Sequence, residues 1–126
     1  MDIEDVLHYL VEHRAPNLPP GYLSEQLLAL SWILDDEGAG IFEVGRRWLE
    51  SGDEFRVAVA LGLNEAFMAD SWVELVGLAD SVKKKVPSLA ADVDVWLENS
   101  RPSYLRLEER RGHGARDEVL RADGAD

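Results

Sequence analysis

His8 and Glu12 stand four residues apart, the spacing that places two metal-ligand side chains on one face of a helix. Two ligands do not close a useful site. His13 is five residues from His8 and falls off that face, and no His-Glu-x-x-His pattern is present. A solvated helix face accounts for both histidines, while His113 lies between glycines with no partner in reach along the chain. The run Asp35-Asp36-Glu37 offers a second chemistry, because paired carboxylates hold magnesium and diphosphate in helical enzymes. It continues into Gly38-Ala39-Gly40 without further acids at helical spacing, which leaves a small metal-dependent hydrolase as a minor reading. Those glycines are no dinucleotide fingerprint either, since they follow a helical pattern, lack a third glycine and adjoin acids that repel phosphate.

The absence of cysteine removes disulfides, thiolate metal sites and thiol nucleophiles together. Nucleophile-elbow, phosphate-loop and protein-kinase patterns are missing as well. The sequence therefore assigns no catalytic residue, metal ligand or cofactor, and the expectation is a protein that is not an enzyme.

What the residue types do offer is charge. The 25 acidic and 13 basic residues leave a formal net charge of -12 on 126 residues. Residues 1–100 hold 19 of the acids and 7 of the bases, while residues 101–126 are balanced. Such a surface repels nucleic acid and anionic membranes and speeds encounter with basic partners. Arg46-Arg47 and Lys83-Lys84-Lys85 are the basic clusters of the acidic part, and each reads as a solvated face or a helix end rather than the basic stripe of a nucleic-acid reader. Over residues 101–126 six acids cancel the six arginines that run from Arg101 to Arg121. The longest apolar run, Val57 to Leu63, is far shorter than the ~20 residues that span a bilayer. Asp2, Glu4 and Asp5 stand where a secretory signal needs positive charge, so the expected location is the cytoplasm.

Six helices can be read along the chain. Ile3, Val6, Leu7, Leu10 and Val11 follow one helix face, with Asp2 placed to cap it, and the prolines between Ala15 and Gly21 break it. From Pro20 to Leu34 the stripe Leu23, Leu27, Leu30, Leu34 is widened by Leu28, Trp32 and Ile33 until little polar face remains. That pattern predicts a central helix buried on most sides. A third helix turns Ile41, Phe42, Gly45, Trp48 and Leu49 inward and ends at Ser51-Gly52. Asp53 to Leu63 fits both a strand and a helix; the capping Asp53, the intervening alanines and the lack of a second strand to pair with favour a buried helix. Trp72, Leu75, Val76, Ala79, Val82 and Val86 make a fifth stripe, ended by Lys83 to Lys85 and Pro87. Ser88 is the expected cap of a sixth, with Leu89, Val93, Trp96 and Leu97 inward.

The expected architecture is an all-α, compact bundle of about six antiparallel helices. Residues 1–100 form an acidic domain and residues 101–126 a charge-balanced, partly disordered tail. Tryptophans at 32, 48, 72 and 96, one per helix in four helices, read as core anchors; paired helical hairpins of the HEAT type are the minority alternative, because the flanking residues do not repeat.

Simple alternation of six helices gathers Asp35, Asp36, Glu37, Glu65, Asp70 and Glu98 at one pole, together with Asp2, Glu4 and Asp5. Acids at helix N-termini are explained by the helix dipole, whereas Asp35, Asp36 and Glu98, read as lying near helix C-termini, oppose it. Carboxylates held against local preference point to electrostatic recognition of a basic protein. In size, acidity and lack of catalytic motifs the chain resembles bacterial immunity proteins, a likeness of composition. The functional expectation is a small module that binds and neutralises a basic partner such as a toxin. A helical adaptor or scaffold subunit is the alternative.

Overall fold

The computed structural model describes residues 2–63 and 68–124, with side chains as far as Arg111. The described residues contain six α-helices and no strand: α1 (Ile3–Glu12), α2 (Pro20–Ser31), α3 (Ala39–Leu49), α4 (Glu54–Leu61), α5 (Trp72–Lys85) and α6 (Ala90–Gly124). A 3-10 turn, Pro87–Leu89, joins the last two. The all-α bundle is therefore the observed architecture.

Local chemistry sets the helix starts. Asp2 and Asp5 form a reciprocal capping box: the Asp5 amide donates to Asp2 Oδ1 at 2.9 Å and the Asp2 amide to Asp5 Oδ2 at 3.2 Å. Pro20 opens α2 at a position where no helical N–H is required. Asp53 accepts the Arg56 amide at 3.1 Å, and this cap starts a helix, Glu54–Leu61, within the stretch Asp53 to Leu63 whose pattern also alternates like a strand. Ser71 caps α5 by accepting the Glu74 amide at 3.2 Å. Ser88, by contrast, lies within the 3-10 turn, and α6 begins at Ala90, one residue later than its expected cap implies.

The central element is α4, not α2. Only eight residues long, it packs on α2, α3, α6 and the 3-10 turn, and Val57, Val59 and Ala60 are fully buried. On α2 the buried positions are Leu23, Ser24, Leu27 and Ser31, a narrow stripe that includes two hydroxyls. Ser24 Oγ donates to the Val59 carbonyl at 2.7 Å. Gly62 permits this approach, because a Cβ there would run into Ser24 Cβ and Oγ. The expectation that Trp32 lies in the core is overturned: Trp32 is 82% exposed and Ile33 76%. Trp48 and Trp96 are the buried tryptophans, at 4% and 6% exposure, and Trp72 is half-buried.

The helix ends meet partly as simple alternation predicts. Gly40 lies against Ile3, and Gly38 against Ser31, so the starts of α1 and α3 and the end of α2 share one end of the bundle. The end of α4 departs from this scheme, since Val59 and Gly62 lie on Ser24 in the first half of α2.

α6 runs without a break across residue 100, where the acidic domain was expected to give way to a tail, and on through Pro102. An internal proline removes one helical bond and crowds the preceding turn, at a cost of about 3 kcal/mol. Contacts beyond it offset that cost. Tyr104 is 2% exposed, and its hydroxyl donates to the Ala69 carbonyl at 2.9 Å while accepting the Ala69 amide at 3.1 Å. Glu108 Oε1 accepts the Trp72 amide at 3.1 Å, and Arg111 Nη1 donates to the Asp70 carbonyl at 2.9 Å. The first half of the presumed tail thus clamps the entry to α5.

Candidate partner-binding site

The turn between α2 and α3 brings together the exposed tryptophan and the acidic run. Its geometry starts at the end of α2. The Trp32 and Ile33 amides donate to the carbonyls of Ala29 and Leu30, three residues back, so the last turn tightens. Ser31 Oγ donates to the Leu28 carbonyl. Trp32 and Ile33 follow the buried Ser31 by one and two residues, about 100° and about 200° around the helix, and so point away from the Leu23–Leu27–Ser31 stripe into solvent. Glu37 and Gly38 then take left-handed backbone angles in succession, φ 59° and φ 87°. Glycine is required at 38, where the backbone is left-handed and a Cβ would meet Ser31.

Asp36 anchors the turn. Its Oδ1 accepts the Gly38 amide at 2.9 Å and its Oδ2 the Gly40 amide at 3.0 Å, so one carboxylate serves two otherwise unpaired donors at the start of α3. The amides of Gly40 and Gly38 hold the Asp36 carboxyl below the usual carboxylate range. The sequence placed Asp36 at a helix C-terminus, where the dipole opposes it. The structure places it at the N-terminus of α3, where the dipole favours it.

Asp35 and Glu37 have no such role. Among the described residues neither enters an ion pair, and both are exposed. Beside them an open groove of about 440 Å³ is lined by Ser31, Trp32, Leu34, Glu37 and Phe42. Ile3 Cγ2 and Asp36 Oδ2 both flank Gly40, so the capping acids Asp2 and Asp5 add their charge to the same end of the molecule.

The other expected site residues are not joined to this turn by any bond among the described residues. The Asp70 amide donates to Glu74 Oε2 at 3.1 Å and its carbonyl accepts from Arg111; Asp70 lines a separate, more polar hollow with Arg46, Met68, Ala69 and Glu74. Glu98 lies within α6, 3.8 Å from Arg101, so no helix C-terminus opposes it. Glu65 lies outside the described residues. Among the described residues no three His, Asp or Glu side chains converge for a metal, and no helix is long and apolar enough to cross a membrane. His8 faces Glu4 at 3.7 Å and Arg56 at 3.2 Å, rather than Glu12.

The residues that sequence reasoning missed are Trp32, Ile33 and Phe42. A signal for the first two was present: the apolar face of the second helix widened beyond one stripe just before the acidic run, more apolar surface than a narrow packing face absorbs. Comparison with protein-family models, with curated proteins and with solved structures returns no match.

Proposed function

We propose that this chain is a protein-binding module of the inhibitor or immunity type, which engages a basic protein partner in the cytoplasm through the α2–α3 turn. The observation that carries the reading is the pairing of Trp32 and Ile33, both largely in solvent, with two neighbouring carboxylates, Asp35 and Glu37, that no cation among the described residues neutralises. Tryptophan is enriched at the energetic centres of interfaces, and a charged rim around such a centre steers encounter. Much of the chain's own basic complement is engaged elsewhere. Arg46 pairs with Glu50, Arg47 with Glu4 and Glu43, Arg56 with Asp53, Lys83 with Asp80 and Asp94, and Arg101 with Glu98.

The test uses the chain as bait for its partner in host lysate, followed by rate measurements with Asp35→Asn/Glu37→Gln, which leaves the Asp36 cap intact. Association is expected to slow at low salt and to lose much of its salt dependence, with the melting temperature held. Equal association rates for parent and variant at both low and physiological salt would remove this turn from the interface.

A further inference from the structure

Resting on that reading, we infer that the groove at the end of α2 receives an arginine side chain of the partner. Its chemistry is one of acceptors and π-faces. Glu37 supplies an ionised carboxylate, which only accepts. Ser31 Oγ has given its proton to the Leu28 carbonyl and has only lone pairs left to offer. The groove also sits at the C-terminal end of α2, where the helix carries partial negative charge, while the positive end of α3 is already matched by Asp36. Trp32, Leu34 and Phe42 complete the lining with apolar and aromatic surface.

A guanidinium fits this set better than an ammonium. It is planar, carries several donors, is more weakly hydrated and stacks on aromatic rings, and its aliphatic stem covers apolar walls. The backbone of Glu37 agrees. A left-handed φ of 59° favours glycine or asparagine, so a glutamate there keeps its carboxylate at the groove against local preference. A second copy of this chain fits poorly, because a self-complementary interface would set Asp35, Asp36 and Glu37 against their own counterparts.

The experiment titrates the full chain with three short peptides, acetyl-Ala-Leu-Xaa-Leu-Ala-amide with Xaa arginine, lysine or citrulline. The readout is the Trp32 indole N–H resonance, assigned by its absence in Trp32→Tyr. The arginine peptide is expected to shift that resonance saturably, to bind about three- to fivefold more tightly than the lysine peptide, and to bind about tenfold more tightly than uncharged citrulline. Glu37→Gln should lower the arginine affinity about tenfold and Trp32→Ala about fivefold, with melting curves unchanged. Equal affinities for the arginine and citrulline peptides, or an affinity indifferent to Glu37→Gln, would overturn the inference. If selectivity is lost while Asp35→Asn/Glu37→Gln still slows association with the captured partner, the groove assignment falls and the acidic-turn reading stands. Arginine selectivity without any change in that association rate sinks the acidic-turn reading and keeps the groove.

Discussion

At Trp32 one of the largest apolar side chains of the molecule lies in solvent, whereas Trp48 is almost completely covered at the α1–α3–α4 junction, with His8 and Arg56 against its ring. The two residues look alike along the chain, each ending an apolar stripe, and they differ in phase: Trp48 repeats Ile41 and Val44 on the buried face of α3, whereas Trp32 lies about 100° around α2 from the buried Ser31. Trp48→Ala is therefore expected to cost about 3 to 5 kcal/mol and Trp32→Ala within about 0.5 kcal/mol, as read by urea unfolding. Similar losses at both would return Trp32 to the core. Asp2 was legible as a cap because a proposed helix starts beside it; Asp36 was not, because its role depends on the left-handed Glu37 and Gly38, which no residue pattern announces. The lowered Asp36 carboxyl gives its stabilisation a pH signature. A carboxylate held below its unfolded pKa stabilises fully above about pH 4 and loses that contribution as pH falls through its folded value. The gap in melting temperature between parent and Asp36→Ala should be present at pH 7 and should narrow as pH falls below about 4. A gap that does not narrow at all in acid would mean that the ionised cap is not its source. Glu37→Gly, which suits the left-handed backbone, is expected to add about 0.5 to 1 kcal/mol while weakening the groove, a trade between stability and recognition.

Among the elements, α6 shows best what composition conceals. Balanced charge reads residues 101–126 as a partly disordered tail in which only Tyr104, Leu105 and Leu107 could dock. Few anchors suffice here, since Tyr104, Glu108 and Arg111 stand three to four residues apart, on one face of a helix, and all three meet the segment 69–72. Burial raises the Tyr104 pKa, as expected of a phenol taken from water, and its hydroxyl bridges both backbone groups of Ala69. A chain ending at Arg111 should melt within about 2 °C of the full chain, and one ending at Ser100 should lose many degrees, because a buried Tyr and the contact with Trp72 go with it. Equal melting of the two truncations would show that the clamp carries no stability. The α4 helix was legible from Asp53 and its alanines, but its central place was not. That place depends on Gly62 and Ser24, a contact 38 residues apart along the chain. Adding a Cβ with Gly62→Ala forces α2 and α4 apart and should cost about 1 to 3 kcal/mol.

For the whole molecule, the question is what an exposed Trp-Ile pair does on a chain with a net charge of -12. Apolar surface of this kind ordinarily invites association, and the strength of that pull does not depend on which molecule covers it. On the proposed reading the acids select against a second copy and for a basic partner. Two copies meeting through this patch bring Asp35, Asp36 and Glu37 close to their own counterparts, with Asp2 and Asp5 behind them, and the remaining net charge repels at longer range. Salt screens such repulsion, since the Debye length shrinks from about 30 Å at 0.01 M to about 3 Å at 1 M, while leaving the apolar attraction in place. The chain is therefore expected to sediment as a monomer in low salt and to begin to self-associate in high salt. Asp35→Asn/Glu37→Gln should move the onset of association to lower salt, and adding Trp32→Ala should abolish association under both conditions. A dimer that is stable in low salt and dissociates on Trp32→Ala would show that the acids do not guard this face. It would make a second copy of the chain the natural occupant of the α2–α3 turn, in place of a basic partner.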